Sequence, residues 1–99
     1  MAKKSIVWSQ RANFELKEVL NYYLARNQNP EYSLKILNEL EALLNQLAQN
    51  VFLGRKTSNN KTRVIVMNVY LVFYEINNQQ IEILSFWDNR QESSKRVDH

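Results

Sequence analysis

Two apolar stripes of helical period followed by three runs of strand period constrain this chain more than any other feature, because only a few layered folds accommodate that order. Ala12, Leu16, Val19, Leu20, Tyr23 and Leu24 stand three and four residues apart, which predicts a helix from about 10 to 27 with one apolar face. Ser9 offers its N-cap, while Arg11, Glu15, Lys17 and Glu18 fall on other faces and are expected to meet water. Ile36, Leu37, Leu40, Leu43, Leu44 and Leu47 make a second stripe that runs to about Gln49. Asn29-Pro30 starts it: Asn caps, Pro is pre-organised for the first helical position, and Glu31 favours the positive end of the helix dipole. A sustained coiled coil needs about three to four heptads, so the two stripes predict an antiparallel helical hairpin packed on a sheet.

The strands lie on either side of that hairpin. Ser5-Ile6-Val7-Trp8 is a brief β-branched and aromatic run, with Trp8 expected in the core. After a polar segment from 54 to 61 come Arg63 to Met67, Val69 to Ile76, and Ile81 to Trp87. Asn77-Asn78 suits a tight hairpin because Asn tolerates positive φ. The run VYLVFYEI is apolar on both faces, which predicts a central strand covered on both sides. The expected fold is therefore α+β: an N-terminal strand, then a helical hairpin packed on an antiparallel sheet completed by three C-terminal strands (β-α-α-β-β-β). With 99 residues and no linker or internal repeat, residues 1–99 form one domain.

Composition narrows the function classes. The chain is 44% hydrophobic with no Cys, so it has material for a core but none for disulfides or thiolate metal sites. No apolar stretch approaches the roughly 20 residues that span a bilayer. No signal-peptide pattern stands at the start, so the expected compartment is the cytoplasm, with no membrane partner. One Gly and one Pro leave no phosphate-binding loop or dinucleotide fingerprint, and no cofactor is expected.

The net charge of +3 is unevenly spread. RKTSNNKTR, from Arg55 to Arg63, holds four cations and no carboxylate; taking those four from the 13 basic residues leaves 9 against 10 acidic ones elsewhere. Arg55, Lys56 and Lys61 are thus either a solvated loop or a binding footprint for phosphate or an acidic partner.

The single histidine, His99, is the last residue, so a Ser-His-Asp triad, a Cys-His pair and a two-His metal site are all excluded. Glu75, Glu82 and Asp88 show no ligand pattern, and no metal is expected. What remains is arginine, lysine and tyrosine. RNA cleavage through the 2′-OH needs a stabilised phosphorane, a proton for the leaving oxygen, and a base, and these residue types supply such roles. Arg63, Tyr74 and Arg90 are the candidate catalytic residues, with Arg63 and Tyr74 brought close if their strands pair antiparallel. The structural alternatives are a core role for Tyr74 and an ion pair of Arg90 with Asp88 or Glu92. Trp87, in the string Phe86-Trp87-Asp88, is either a stacking platform for a base or packing against the helical hairpin.

Trp8-Ser9 with Ala12 and Leu16, the tyrosines at 22 and 23, Leu40 through Leu47, Gly54, Arg63, YLVFYEI and IEILSFWDNR together resemble the RelE/ParE superfamily of bacterial type II toxins, over about residues 5 to 91. The resemblance implies a toxin neutralised by a cognate antitoxin that docks an extended or helical segment onto its helices and sheet. It implies one of two targets: ribosome and mRNA for RelE-like endonucleases, or DNA gyrase for ParE-like inhibitors. Arg63 and Arg90 match two basic positions of the RelE pattern. The arginine of the central strand is replaced around Leu71, Ile65 alternates with Arg63, and no tyrosine follows Arg90. Phosphorane stabilisation depends on several converging donors, so these departures favour the ParE-like reading, in which inhibition is a binding event. A ribosome-dependent mRNA endonuclease using Arg63, Arg90 and Tyr74 is the alternative. A non-toxic module binding an acidic partner through Arg55, Lys56, Lys61 and Arg63 is the third.

Overall fold

The computed structural model describes residues 4–98. The basic start at Met1–Lys3 and the terminal His99 lie outside the described residues. The chain runs β1 (Ser5–Trp8), α1 (Gln10–Asn27), α2 (Glu31–Gln49), β2 (Arg55–Lys56), β3 (Arg63–Met67), β4 (Tyr70–Ile76), β5 (Gln80–Asp88) and a short 3₁₀ turn at Ser93–Lys95. The expected β-α-α-β-β-β order is present, with β2 as an additional two-residue strand inside the segment read as a polar loop.

The five strands form one sheet in the order β1-β5-β4-β3-β2. The sheet is mixed, not purely antiparallel: β1 pairs parallel with β5, Ser5 opposite Gln80 through Trp8 opposite Ile83. Short turns force antiparallel pairing between β3, β4 and β5, but β1 reaches its partner only across the helical hairpin, and a crossover permits the parallel direction. β4 is central, as its two apolar faces require.

On one face, Tyr70, Val72 and Tyr74 of β4 pack with Ile81, Ile83 and Phe86 of β5 against Ala12, Ile36, Leu40 and Leu47 of the helices. On the other face, Val64, Leu71, Phe73 and Trp87 form a smaller cluster, packed by Leu84 and by Val97 from the C-terminal segment. The second cover therefore comes from the chain's own end. Trp87 packs here, away from the helical hairpin; with Leu71 as its cross-strand partner it occupies the opposite face from Phe86.

Local chemistry explains the element ends. Ser9 Oγ accepts the Ala12 amide at 3.0 Å, as an N-cap should. Before α2, Asn29 Oδ1 accepts the Glu31 amide, and Pro30 itself occupies the cap position. In the β4–β5 turn, Asn77 acts through its side chain, whose Oδ1 accepts from the Gln79 and Gln80 amides, and positive φ occurs instead at Gln28, Asn60 and Asn68.

One exposed-face expectation is overturned. β5 continues past the end of β1, and there Glu15 of α1 covers its edge: Oε1 accepts the Phe86 amide at 3.1 Å and the Ser85 hydroxyl at 2.6 Å. Arg11 holds the other carboxylate oxygen at 3.3 Å. Glu15 turns inward because an unpaired edge amide is costlier than a desolvated carboxylate with three donors.

Candidate functional site

Arg63 and Tyr74 stand directly opposite each other across β3 and β4, as an antiparallel pairing requires. Both reach the connection between α2 and β2. The Tyr74 hydroxyl donates to the Val51 carbonyl at 2.8 Å and accepts the Gly54 amide at 2.8 Å, while Arg63 Nη1 donates to the Gly54 carbonyl at 2.6 Å. Tyr74 is fully buried, and burial pushes its pKa up against the opposing pull of the Gly54 amide and the Arg63 charge. Gly54, the chain's single glycine, is required by close approach: a Cβ there would stand 2.8 Å from both the Val64 carbonyl and the Tyr74 ring. The geometry closes around backbone groups and leaves the Tyr74 hydroxyl engaged as both donor and acceptor.

Arg90 lies beyond the opposite end of the sheet. Tyr70 pairs with Asp88 where Tyr74 pairs with Arg63, and the four residue steps of β4 from Tyr70 to Tyr74 span about 13 Å. Arg90 grips Asp88 with two parallel hydrogen bonds, Nε to Oδ1 at 2.9 Å and Nη2 to Oδ2 at 2.7 Å, and also donates to the Tyr23 hydroxyl at 3.2 Å. The guanidinium holds the Asp88 carboxyl below the usual carboxylate range, and its own pKa is raised in return, first by Asp88 and then by Tyr23. Beside this pair, Tyr22, Tyr23 and Tyr32 form a chain of ring contacts at 4.9 and 4.3 Å, and the Tyr32 hydroxyl meets that of Tyr70. Burial raises the Tyr70 pKa, and the Tyr32 contact adds to it.

The cationic segment is ordered by its polar residues. Asn59 Oδ1 accepts the amides of Lys61 and Thr62, each at 2.8 Å, and the Thr62 hydroxyl donates to Glu75 at 2.9 Å. Arg55 and Lys56 stand exposed on β2, at the sheet edge, and line a groove of about 490 Å³ with Arg96 of the C-terminal segment. Lys61 lies in the turn beyond them. Trp87 is only 4% exposed, under that C-terminal segment, with no partner for its indole N–H. Arg96 sits over the Phe73 ring at 5.5 Å, and Arg11 lies 5.9 Å from the centroid of Trp87.

The predicted residues thus fall in four places: Arg63 with Tyr74 at the loop clasp, Arg90 at the far end, Arg55 and Lys56 along the β2 edge with Lys61 in the turn beyond, and Trp87 buried in the second cluster. Sequence reasoning passed over Phe52 and Leu53 of the clasped loop and Glu15 at the β5 edge. An apolar pair lying outside both helical stripes and just before the only glycine was the available signal for the first. β1, α1 and α2 enclose a groove of about 970 Å³, lined in good part by apolar side chains such as Trp8, Leu16, Leu37 and Leu44. Among the described residues no cluster of three or more His, Cys, Asp or Glu side chains is placed to hold a metal, and no helix is long and apolar enough to cross a membrane.

Comparison with known proteins agrees with this architecture. A family model described as the ParE toxin of the type II toxin-antitoxin system, parDE, matches residues 6–93. Among solved structures, the chromosomal ParDE toxin-antitoxin system of P. aeruginosa superposes with a TM-score of 0.69 at 18% identity, covering 85% of this chain and 94% of that one. No curated protein sequence matches.

Proposed function

The chain belongs to the ParE toxin family of type II toxin-antitoxin systems, and from that premise we propose that it arrests growth by binding and inhibiting a cytoplasmic target such as DNA gyrase, without a catalytic set of its own. The observation that carries this reading is the separation of the two arginines. Arg63 is committed to a backbone carbonyl at one end of the sheet and Arg90 to a carboxylate at the other, with about 13 Å of strand between them. Phosphoryl chemistry on RNA draws on donors that converge on one phosphate, and this arrangement disperses them. Tyr74, the third candidate, has its hydroxyl buried between two backbone partners.

A toxin of this family has a cognate antitoxin. The apolar groove beside β1 suits such a segment: β1 is an edge strand with a free side, so an extended chain gains backbone hydrogen bonds there while its side chains enter the groove.

The test is inhibition of purified gyrase. The protein is expected to block supercoiling, and cells expressing it alone should show DNA-damage signalling with mRNA intact. New mRNA 5′ ends clustered at codon boundaries would replace this reading with the RelE-like endonuclease, and unimpaired growth with confirmed expression would replace it with the non-toxic acidic-partner module.

A further inference from the structure

We propose that the connection from Val51 to Gly54 is a preformed anchor for the toxin's protein target: Phe52 enters an apolar pocket on the target, and Arg55 and Lys56 meet carboxylates on that pocket's rim. The inference rests on the reading above, that the toxin acts by binding.

Phe52 is 67% exposed and Leu53 41%, side by side at the tip of a short connection. Apolar side chains in such a position are normally carried on loosely held backbone, and here the backbone is tied to the sheet. Three hydrogen bonds from two sheet residues hold the backbone on either side of them, the Tyr74 hydroxyl to Val51 and Gly54 and the Arg63 guanidinium to Gly54. Val51 packs into the main core, the Leu53 amide donates to Asn50, and the Arg63 guanidinium lies against the Phe52 ring at 4.9 Å. A buried tyrosine, an arginine and the chain's only glycine are thereby spent on displaying two apolar side chains to solvent. Ordering costs are met before any partner arrives, which is the condition under which a single aromatic anchor yields tight binding.

Phe14 gives the contrast. It is 63% exposed, yet it stands alone on α1, where helical neighbours such as Arg11, Lys17 and Glu18 are charged, so it makes no patch.

Charge selects the partner. From Asn50 to Arg63 the chain has no carboxylate, and Arg55 and Lys56 follow directly on the tip. An acidic rim around an apolar pocket complements both features. The position selects target over antitoxin: Phe52 and Leu53 are not among the side chains that line the groove beside β1, and the tip adjoins β2, whereas β1, the edge strand offered to an added segment, stands at the other side of the sheet, four strand spacings or about 19 Å from β2.

The experiment compares the full-length wild-type protein with Phe52→Ala, Phe14→Ala and the charge reversal Arg55→Glu/Lys56→Glu, in gyrase inhibition, growth arrest on induction, antitoxin affinity and thermal unfolding. Phe52→Ala is expected to raise the half-inhibitory concentration by about tenfold or more, with Tm and antitoxin affinity unchanged. The charge reversal should act in the same direction and lose its effect at high salt. Phe14→Ala should match the wild type. Undiminished inhibition by Phe52→Ala overturns the anchor, as does a loss of antitoxin affinity with inhibition intact. If the wild type leaves gyrase active, the gyrase reading fails and growth arrest decides: arrest lost with Phe52→Ala supports the anchor, and arrest retained overturns it. A wild type that arrests nothing overturns both.

Discussion

The two ends of the sheet use arginine in opposite ways. At the β2 end, Arg63 joins a buried tyrosine in gripping backbone, so its charge organises a loop. At the far end, Arg90 is more than half exposed and grips a carboxylate only two residues away. Residue type and strand position are the same kind in both places, yet only the first is wired into the core. The difference teaches that a cation next to a strand end acquires its role from what lies opposite it: a connection that must be held, or open solvent.

The sharpest way to break this contrast is Tyr74→Phe. It keeps the ring and strips the hydroxyl, leaving the Val51 carbonyl and Gly54 amide without their partner, at a cost of about 1–3 kcal/mol in urea denaturation. A loss within experimental error would mean that the clasp is incidental. Arg63→Ala comes next, at about 1 kcal/mol, for its hydrogen bond to the Gly54 carbonyl. In double-mutant cycles, Tyr74→Phe and Arg63→Ala should couple by more than about 0.5 kcal/mol, whereas Arg63→Ala and Arg90→Ala should add. Coupling between the two arginines would erase the distinction drawn here.

The smallest effect is expected from acid. Asp88 has its folded pKa lowered by Arg90, so its contribution is fully present above the unfolded carboxylate pKa of about 4 and is lost as pH falls through the lower folded value. Chemical shifts of Tyr23 should follow that transition, and Asp88→Asn should abolish it while leaving the β2 end untouched. Persistence of the transition in Asp88→Asn would assign it to another group.

Periodicity made the fold legible almost element by element. Ser9 caps α1 as expected, and the doubly apolar VYLVFYEI lies at the sheet's centre. The direction of β1 was not legible, because hydrophobic alternation specifies a face and is silent on whether a crossover partner runs parallel. Glu15 was misread for a related reason. Its helical position marks it as outward, and only the length mismatch between β1 and β5 creates the orphan amide that draws it in. At the candidate site, strand pairing placed Arg63 opposite Tyr74, but the partner they share is a backbone segment nine or more residues away in sequence. Composition lists side chains, and the deciding groups there are an amide and two carbonyls.

The Glu15 carboxylate has a consequence for the protein as a solute. β5 runs nine residues and β1 only four, so a stretch of strand continues past β1 with no further strand beside it. An open edge of that kind is a template for strand addition between molecules. By occupying the Phe86 amide with a charge that a second strand cannot easily displace, α1 denies that edge to neighbouring copies. The same helix that fills the core caps the part of the β5 edge that β1 leaves uncovered.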